Sequence, residues 1–140
     1  MTRQERRSGF AMHYQHVWTE RGGHLGLPLW LRVASLAYGA HKRNGHAVFQ
    51  AGDLEVALGR PDPVTGEWKP LARQNVQRAI QTAIDYGMLA ERSTARCLIV
   101  PRHAIEGGYA GNSDDACPIH DRTTATRKTR KRASLRVVGE

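Results

Sequence analysis

Cysteine is scarce in this chain, and long apolar runs are missing from it. Two cysteines among 140 residues are too few for a disulfide scaffold and favour a reducing cytoplasm. No stretch is apolar for long enough to cross a bilayer, and the first residues lead into no apolar run. We therefore expect neither a membrane span nor a signal peptide.

The usual signatures of catalysis are missing as well. The seven histidines are scattered, without acids or a nucleophile at the spacing that catalytic groups require. No glycine-rich phosphate loop is present. These absences argue against an enzyme.

Positive charge is plentiful, and most of its excess lies in the two ends. The formal net charge is +8. Residues 1–8 account for +2 and residues 121–140 for +5, whereas residues 9–120 carry only +1. We expect a basic tail over 1–8, a folded domain over 9–120 and a basic disordered tail over 121–140. Such tails suit a polyanionic partner, although a tail that only aids solubility has the same composition.

The stretch from Leu71 to Leu89 has an apolar side and an Arg/Gln side. At 100° per residue, one side of a helix collects Val76, Ala79, Ile80, Ala83 and Ile84. The other side, called here the Arg/Gln face, collects Arg73, Gln74, Gln77, Arg78 and Gln81. Arg and Gln side chains match guanine and adenine edges in the major groove. The pattern fits a DNA-recognition helix, and it also fits a surface helix with a solvated polar face.

Shorter patterns divide the remainder of the domain. Alternating apolar residues predict an N-terminal strand over 10–18. Helical spacing with a proline near the first position predicts a helix over 27–40. A short strand over 46–49 and a short helix over 52–59 follow. The proline-rich link over 60–70 is predicted to be ordered, with Trp68 packing it against the domain.

Residues 89–100 fit two short strands around Ser93–Ala95, which would form a hairpin. Arg92 and Arg96 would lie at its tip or edge, where basic side chains contact phosphates or the minor groove. Lys69, which precedes the Arg/Gln helix, is a further candidate DNA contact.

The order of helix, strand, helix, Arg/Gln helix and hairpin over roughly 27–100 resembles the winged helix-turn-helix superfamily. Shorter segments are similar to helix-turn-helix proteins of actinobacterial phages and their hosts, namely Gly59-Arg-Pro61, Gly66-Glu-Trp68, Arg73–Ile80, Cys97–Pro101, His103-Ala-Ile105 and Cys117-Pro-Ile-His120. The resemblance implies an α+β fold with a three-helix core and a β-hairpin wing. It carries DNA contact over to Arg73, Gln74, Gln77 and Arg78. Ala72 departs from the family pattern, in which Ser or Thr usually caps this helix.

Four residues have the types of a tetrahedral zinc site, namely Cys97, His103, Cys117 and His120. Cys117 and His120 have a chelating spacing, and zinc could join the 101–120 segment to the second strand of the hairpin. The alternative for Cys97 is a small buried side chain. A disulfide between the two cysteines is disfavoured in cytoplasm.

Together these patterns predict a protein that binds double-stranded DNA, most simply a phage or bacterial transcription regulator. Replication initiation or recombination accessory work uses the same fold and is the alternative. A protein-binding adaptor is the alternative from another class, and salt-independent binding would favour it. No leucine-rich dimer helix is evident, so a homodimer would form through the N-terminal strand or the hairpin.

Overall fold

The computed structural model describes residues 11–105 and 117–120. The predicted tails, 1–8 and 121–140, lie outside these residues. The described chain is a mixed α+β structure with four α-helices and two small antiparallel sheets. In chain order the elements are α1 (Gln15–Gly22), α2 (Leu29–Ala40), β1 (His46–Val48), α3 (Asp53–Ala57), β2 (Arg60–Pro61), β3 (Trp68–Lys69), α4 (Arg73–Asp85), β4 (Cys97–Ile99) and a 3₁₀ turn (Arg102–Ala104).

The N-terminal segment is a helix, so the strand predicted over 10–18 is wrong. Met12 and Tyr14, two of the residues that suggested the alternation, are 94% and 78% exposed. Trp18 lies within α1 and stacks on Tyr38 of α2, with ring centroids 5.3 Å apart. The helix is therefore stabilised by packing against α2, which overrides the weak local pattern.

Two glycines bring α1 and α2 close together. A Cβ atom on Gly22 or on Gly39 would lie closer than 3.0 Å to Leu36 or Thr19, respectively. The side-chain amide of Gln15 donates to the carbonyls of Tyr38 and His41, at 3.2 and 3.0 Å. Gln15 thereby satisfies carbonyl groups at the C-terminal end of α2, which have no partner within their own helix.

Helix α2 is the central element of the core, as its apolar pattern predicts. It starts after Pro28, and every residue from Arg32 to Ala37 is buried. The main core is made of apolar side chains from α2, β1, α3, α4 and β4, with Leu89 beside them, and its fully buried members are Val33, Ala34, Ala37, Ala47, Leu54, Leu58, Val76, Ala83, Leu98 and Val100.

Helix α4 is confirmed, with the predicted apolar side turned inward. Val76, Ala79, Ile80 and Ala83 are its buried residues. Gly87 follows the helix with φ of +74°, a conformation that glycine adopts at little cost and that commonly ends helices. Ala72 provides no side-chain hydrogen bond at the N-terminus, as its residue type requires.

The predicted two-stranded wing is not formed as two strands. Strand β4 pairs antiparallel with β1, with His46 opposite Ile99 and Val48 opposite Cys97. Residues 90–96, called here the 90–96 turn, replace the first strand. The Ser93 hydroxyl accepts the Ile99 N–H at 2.9 Å, and Thr94 forms a single bridge with Cys97. Side-chain hydroxyl groups thus accept backbone N–H groups that would otherwise have bonded to a second strand.

The link between α3 and α4 is ordered, as predicted. Its strands β2 and β3 form a hairpin, with Arg60 opposite Lys69 and Pro61 opposite Trp68. The indole Nε1 of Trp68 donates to the carbonyl of Val56 at 2.8 Å. Trp68 therefore fixes the hairpin to α3, although 48% of its surface is exposed.

Candidate metal centre and Arg/Gln face

The β1–β4 sheet places a histidine and a cysteine on the same side. Ala47 and Leu98 are fully buried in the main core, and side chains alternate between the faces of a strand. His46 and Cys97 consequently face away from the main core. A second apolar cluster lies there, built on Cys97, Ile99 and Cys117 and covered partly by Ala90 and Ile119.

Four side chains converge in this second cluster and could hold a metal ion: His46, Cys97, Cys117 and His120. They are called here the metal cluster. Their ligand atoms all lie within 4.8 Å of one another. Both sulfur atoms are almost completely enclosed, because Cys97 is 0% and Cys117 2% exposed, and the two histidines are half-buried.

Three separations between ligand atoms are close to the edges of a tetrahedral zinc site. Cys97 Sγ lies 3.3 Å from His46 Nδ1 and 3.5 Å from Cys117 Sγ. Cys117 Sγ lies 3.4 Å from His120 Nδ1. Zinc bonds of about 2.3 Å to sulfur and about 2.0–2.1 Å to nitrogen give tetrahedral edges of roughly 3.4–3.8 Å. The cysteines are not joined by a disulfide.

The ring of His120 is oriented by a backbone carbonyl. Its Nε2 lies 2.8 Å from the carbonyl oxygen of Arg92, and a carbonyl oxygen only accepts. Nε2 therefore carries a proton, and Nδ1 faces the sulfur of Cys117. A metal-binding histidine commonly donates its other ring N–H to such an acceptor, which fixes both tautomer and orientation.

The metal cluster differs from the predicted set at one position. His103 is exposed in the 3₁₀ turn and lies outside the cluster. His46 is the fourth member instead. Pro101 ends the extended segment after β4, so the chain turns away before His103. The feature of the sequence that could have indicated His46 as a ligand is its position at the start of a predicted short strand. A strand that pairs with β4 can bring a histidine beside Cys97.

All five residues of the Arg/Gln face are exposed. The first turn of α4 carries no acid, and Arg73 and Arg78 give this side of the helix two positive charges. Gln81 donates to Asp85 Oδ1 at 2.9 Å, which engages the last member of the face. Arg73, Gln74, Gln77 and Arg78 form the part of the face nearest the N-terminal end of the helix.

The remaining candidate DNA contacts lie on other elements. Lys69 is exposed on β3, and Arg92 and Arg96 are exposed on the 90–96 turn. The Nε of Arg96 donates to the carbonyl of Phe49 at 2.9 Å, so this side chain is held against the end of β1. The metal cluster touches the same turn through Arg92.

One buried cation was missed by the sequence interpretation. Arg32 is 0% exposed, and its guanidinium donates to the carbonyls of Gly22, Ala57, Leu58 and Gly59 at 2.9–3.4 Å. Burial, and secondarily the charge of Arg60, lower the pKa of Arg32. Its acceptors lie at the ends of α1 and α3, where carbonyls lack helical partners. A lone arginine in an apolar stripe does not by itself indicate that its side chain will be buried and will bind carbonyl groups of two other helices.

Within the described residues, no helix combines the length and the apolar character needed to cross a bilayer. Comparisons with family models, curated proteins and solved structures gave no match for this chain.

Proposed function

We propose that the protein binds double-stranded DNA by inserting the Arg/Gln face of α4 into the major groove. The observation that carries the proposal is the division of α4 into a buried apolar side and an exposed Arg/Gln side. Arginine pairs with guanine through two donors, and glutamine pairs with adenine through one donor and one acceptor. A helix held by its apolar side on a rigid core presents these groups in fixed positions.

The 90–96 turn and Lys69 supply the contacts that do not depend on sequence. Arg92, Arg96 and Lys69 are exposed cations on elements that flank α4 in the chain, and contacts to phosphates position a protein on the duplex. Transcription regulation in a phage or its bacterial host is the role we favour for such a domain. Replication initiation is the alternative, and the genomic position of the bound site distinguishes the two.

We propose in addition that the metal cluster holds a structural zinc ion. Two cysteines and two histidines whose ligand atoms lie within 4.8 Å of one another are a ligand set that zinc prefers, and four protein ligands leave no open position for chemistry. The ion would join the 117–120 segment to the β1–β4 sheet. Through His120 and Arg92 it would also support the 90–96 turn.

Selection from a random duplex library across a salt series tests DNA binding. We expect retained sequences to share a motif and the retention to survive moderate salt, because contacts with base edges depend less on released counterions than phosphate contacts do. Retention that is abolished by moderate salt and yields no motif would contradict base reading. No retention of any duplex would favour a protein-binding role.

Arg78→Ala is expected to weaken binding to the selected duplex by roughly 1–3 kcal/mol while nonspecific binding changes little. An arginine in the groove contacts bases, so removal of its side chain weakens binding only at the cognate sequence. Titration of cognate and scrambled duplexes with the variant measures its specific and its nonspecific affinity. Arg43→Ala removes an exposed charge outside α4 and serves as the control. An equal loss on both duplexes would contradict a base contact by Arg78.

A further inference from the structure

The β2–β3 hairpin is rigid at its turn. The carboxylate of Asp62 accepts the N–H groups of Val64 and Thr65 at 2.7 and 3.1 Å. These bonds hold the pKa of Asp62 below its usual value. The N–H of Asp62 donates to the carbonyl of Glu67 at 2.7 Å. A loop of this kind keeps its strands in one register and carries its side chains in defined positions.

The base of the hairpin is closely packed and is fixed to α3. A Cβ atom on Gly59 would lie closer than 3.0 Å to the carbonyl of Lys69, so only glycine permits the approach of the two chains. The N–H of Leu71 donates to the carbonyl of Glu55 at 2.8 Å. The base of the hairpin is thus held against α3, directly before the start of α4.

Two cations face each other at this base, whereas the two acids of the hairpin, Asp62 and Glu67, lie toward its turn. Arg60 and Lys69 are both exposed and stand directly opposite each other, an arrangement in which like charges destabilise a strand pair. The buried guanidinium of Arg32 lies beneath them, with its Nη2 3.4 Å from the carbonyl of Gly59. Within the described residues its guanidinium donates to carbonyl groups, which carry no formal charge that would neutralise it.

We infer that Arg60 and Lys69 form a phosphate-binding site for the backbone of the DNA that the Arg/Gln face reads. The inference rests on the proposed DNA binding and adds Arg60 and the hairpin to it. A duplex phosphate relieves the repulsion between the two cations and is attracted by the charge of Arg32. Lys69 precedes the first residue of α4 by four positions, so a duplex lying along α4 passes close to the hairpin. The β2–β3 hairpin would then make the phosphate contacts that we predicted from the sequence for a wing after α4.

The test compares Arg60→Ala/Lys69→Ala with Lys42→Ala/Arg43→Ala, which removes the same charge from an exposed turn between α2 and β1. Affinity for a cognate and a scrambled duplex is measured across a salt series, and thermal unfolding is measured in parallel. The hairpin variant should lose affinity on both duplexes, and its salt slope should fall by about 1, since each neutralised phosphate contributes about 0.9. Its thermal stability should not fall, because a repulsive pair is removed.

Each outcome bears on a different statement. Wild-type protein that binds no duplex would overturn the proposed function and this inference with it. Wild-type protein that binds, while the hairpin variant keeps its affinity and salt slope, would overturn the phosphate site alone. Equal losses in the hairpin and control variants would overturn it as well, since they would reflect total charge and not a site.

Discussion

Removal of zinc is expected to lower the midpoint of thermal unfolding by about 10 °C or more. Zinc at 100 times its dissociation constant stabilises a folded protein by about 2.7 kcal/mol, and each kcal/mol shifts the midpoint of a domain of this size by roughly 4–8 °C. The helices should persist without the ion, because the main core contains none of the metal cluster. Scanning calorimetry before and after chelation measures the shift, and metal analysis should find one zinc per chain.

The ligand set is tested by two histidine substitutions. His46→Ala removes a member of the metal cluster, whereas His103→Ala removes the exposed histidine that the sequence suggested in its place. We expect His46→Ala to weaken zinc binding at least tenfold and His103→Ala to leave it unchanged. The opposite ranking would restore the ligand set predicted from the sequence. Absence of zinc from wild-type protein that has been loaded with excess zinc would refute the site altogether.

Arg32→Leu is expected to destabilise the fold by several kcal/mol, since each buried carbonyl group left without a donor costs about 1–3 kcal/mol. Leucine fills part of the space but leaves carbonyls of Gly22, Leu58 and Gly59 without their buried donor. Arg32→Lys should lie between the wild type and Arg32→Leu, since one ammonium group reaches fewer of these oxygens. Urea unfolding followed by circular dichroism measures the loss of stability.

Arg43→Leu is the matched control for this experiment, because the same change is made at an exposed arginine. Its effect should stay within about 0.5 kcal/mol. If Arg32→Leu were no more destabilising than Arg43→Leu, the buried guanidinium would not be needed to join α1, α2 and α3.

The elements predicted correctly from the sequence are those whose own residues determine them. Helices α2 and α4 have apolar residues at helical spacing, together with Pro28 at one start and Gly87 at one end. Local signals of this kind survive folding because they agree with the tertiary packing. The exposed Arg/Gln face followed directly from the same periodicity.

The errors arose where distant residues decide the structure. Helix α1 depends on contacts with α2, including the close approach at Gly22 and Gly39. The 90–96 turn depends on hydroxyl groups that replace strand pairing. The metal cluster needed a histidine 51 positions from Cys97, and only the pairing of β1 with β4 brings the two together. Sequence spacing alone cannot reveal a ligand on another strand.

The pairing of β1 with β4 also bears on how the chain folds. The ladder has only three residue pairs, yet it closes a loop that contains α3, the hairpin and α4. Contacts between residues far apart in sequence stabilise the fold only after the entropic cost of closing the loop between them has been met. We therefore expect the helices to form early and the closure of this loop to be the slow step of folding. The strands that bring His46 and Cys97 together would then also set the rate at which α4 becomes locked in its final place.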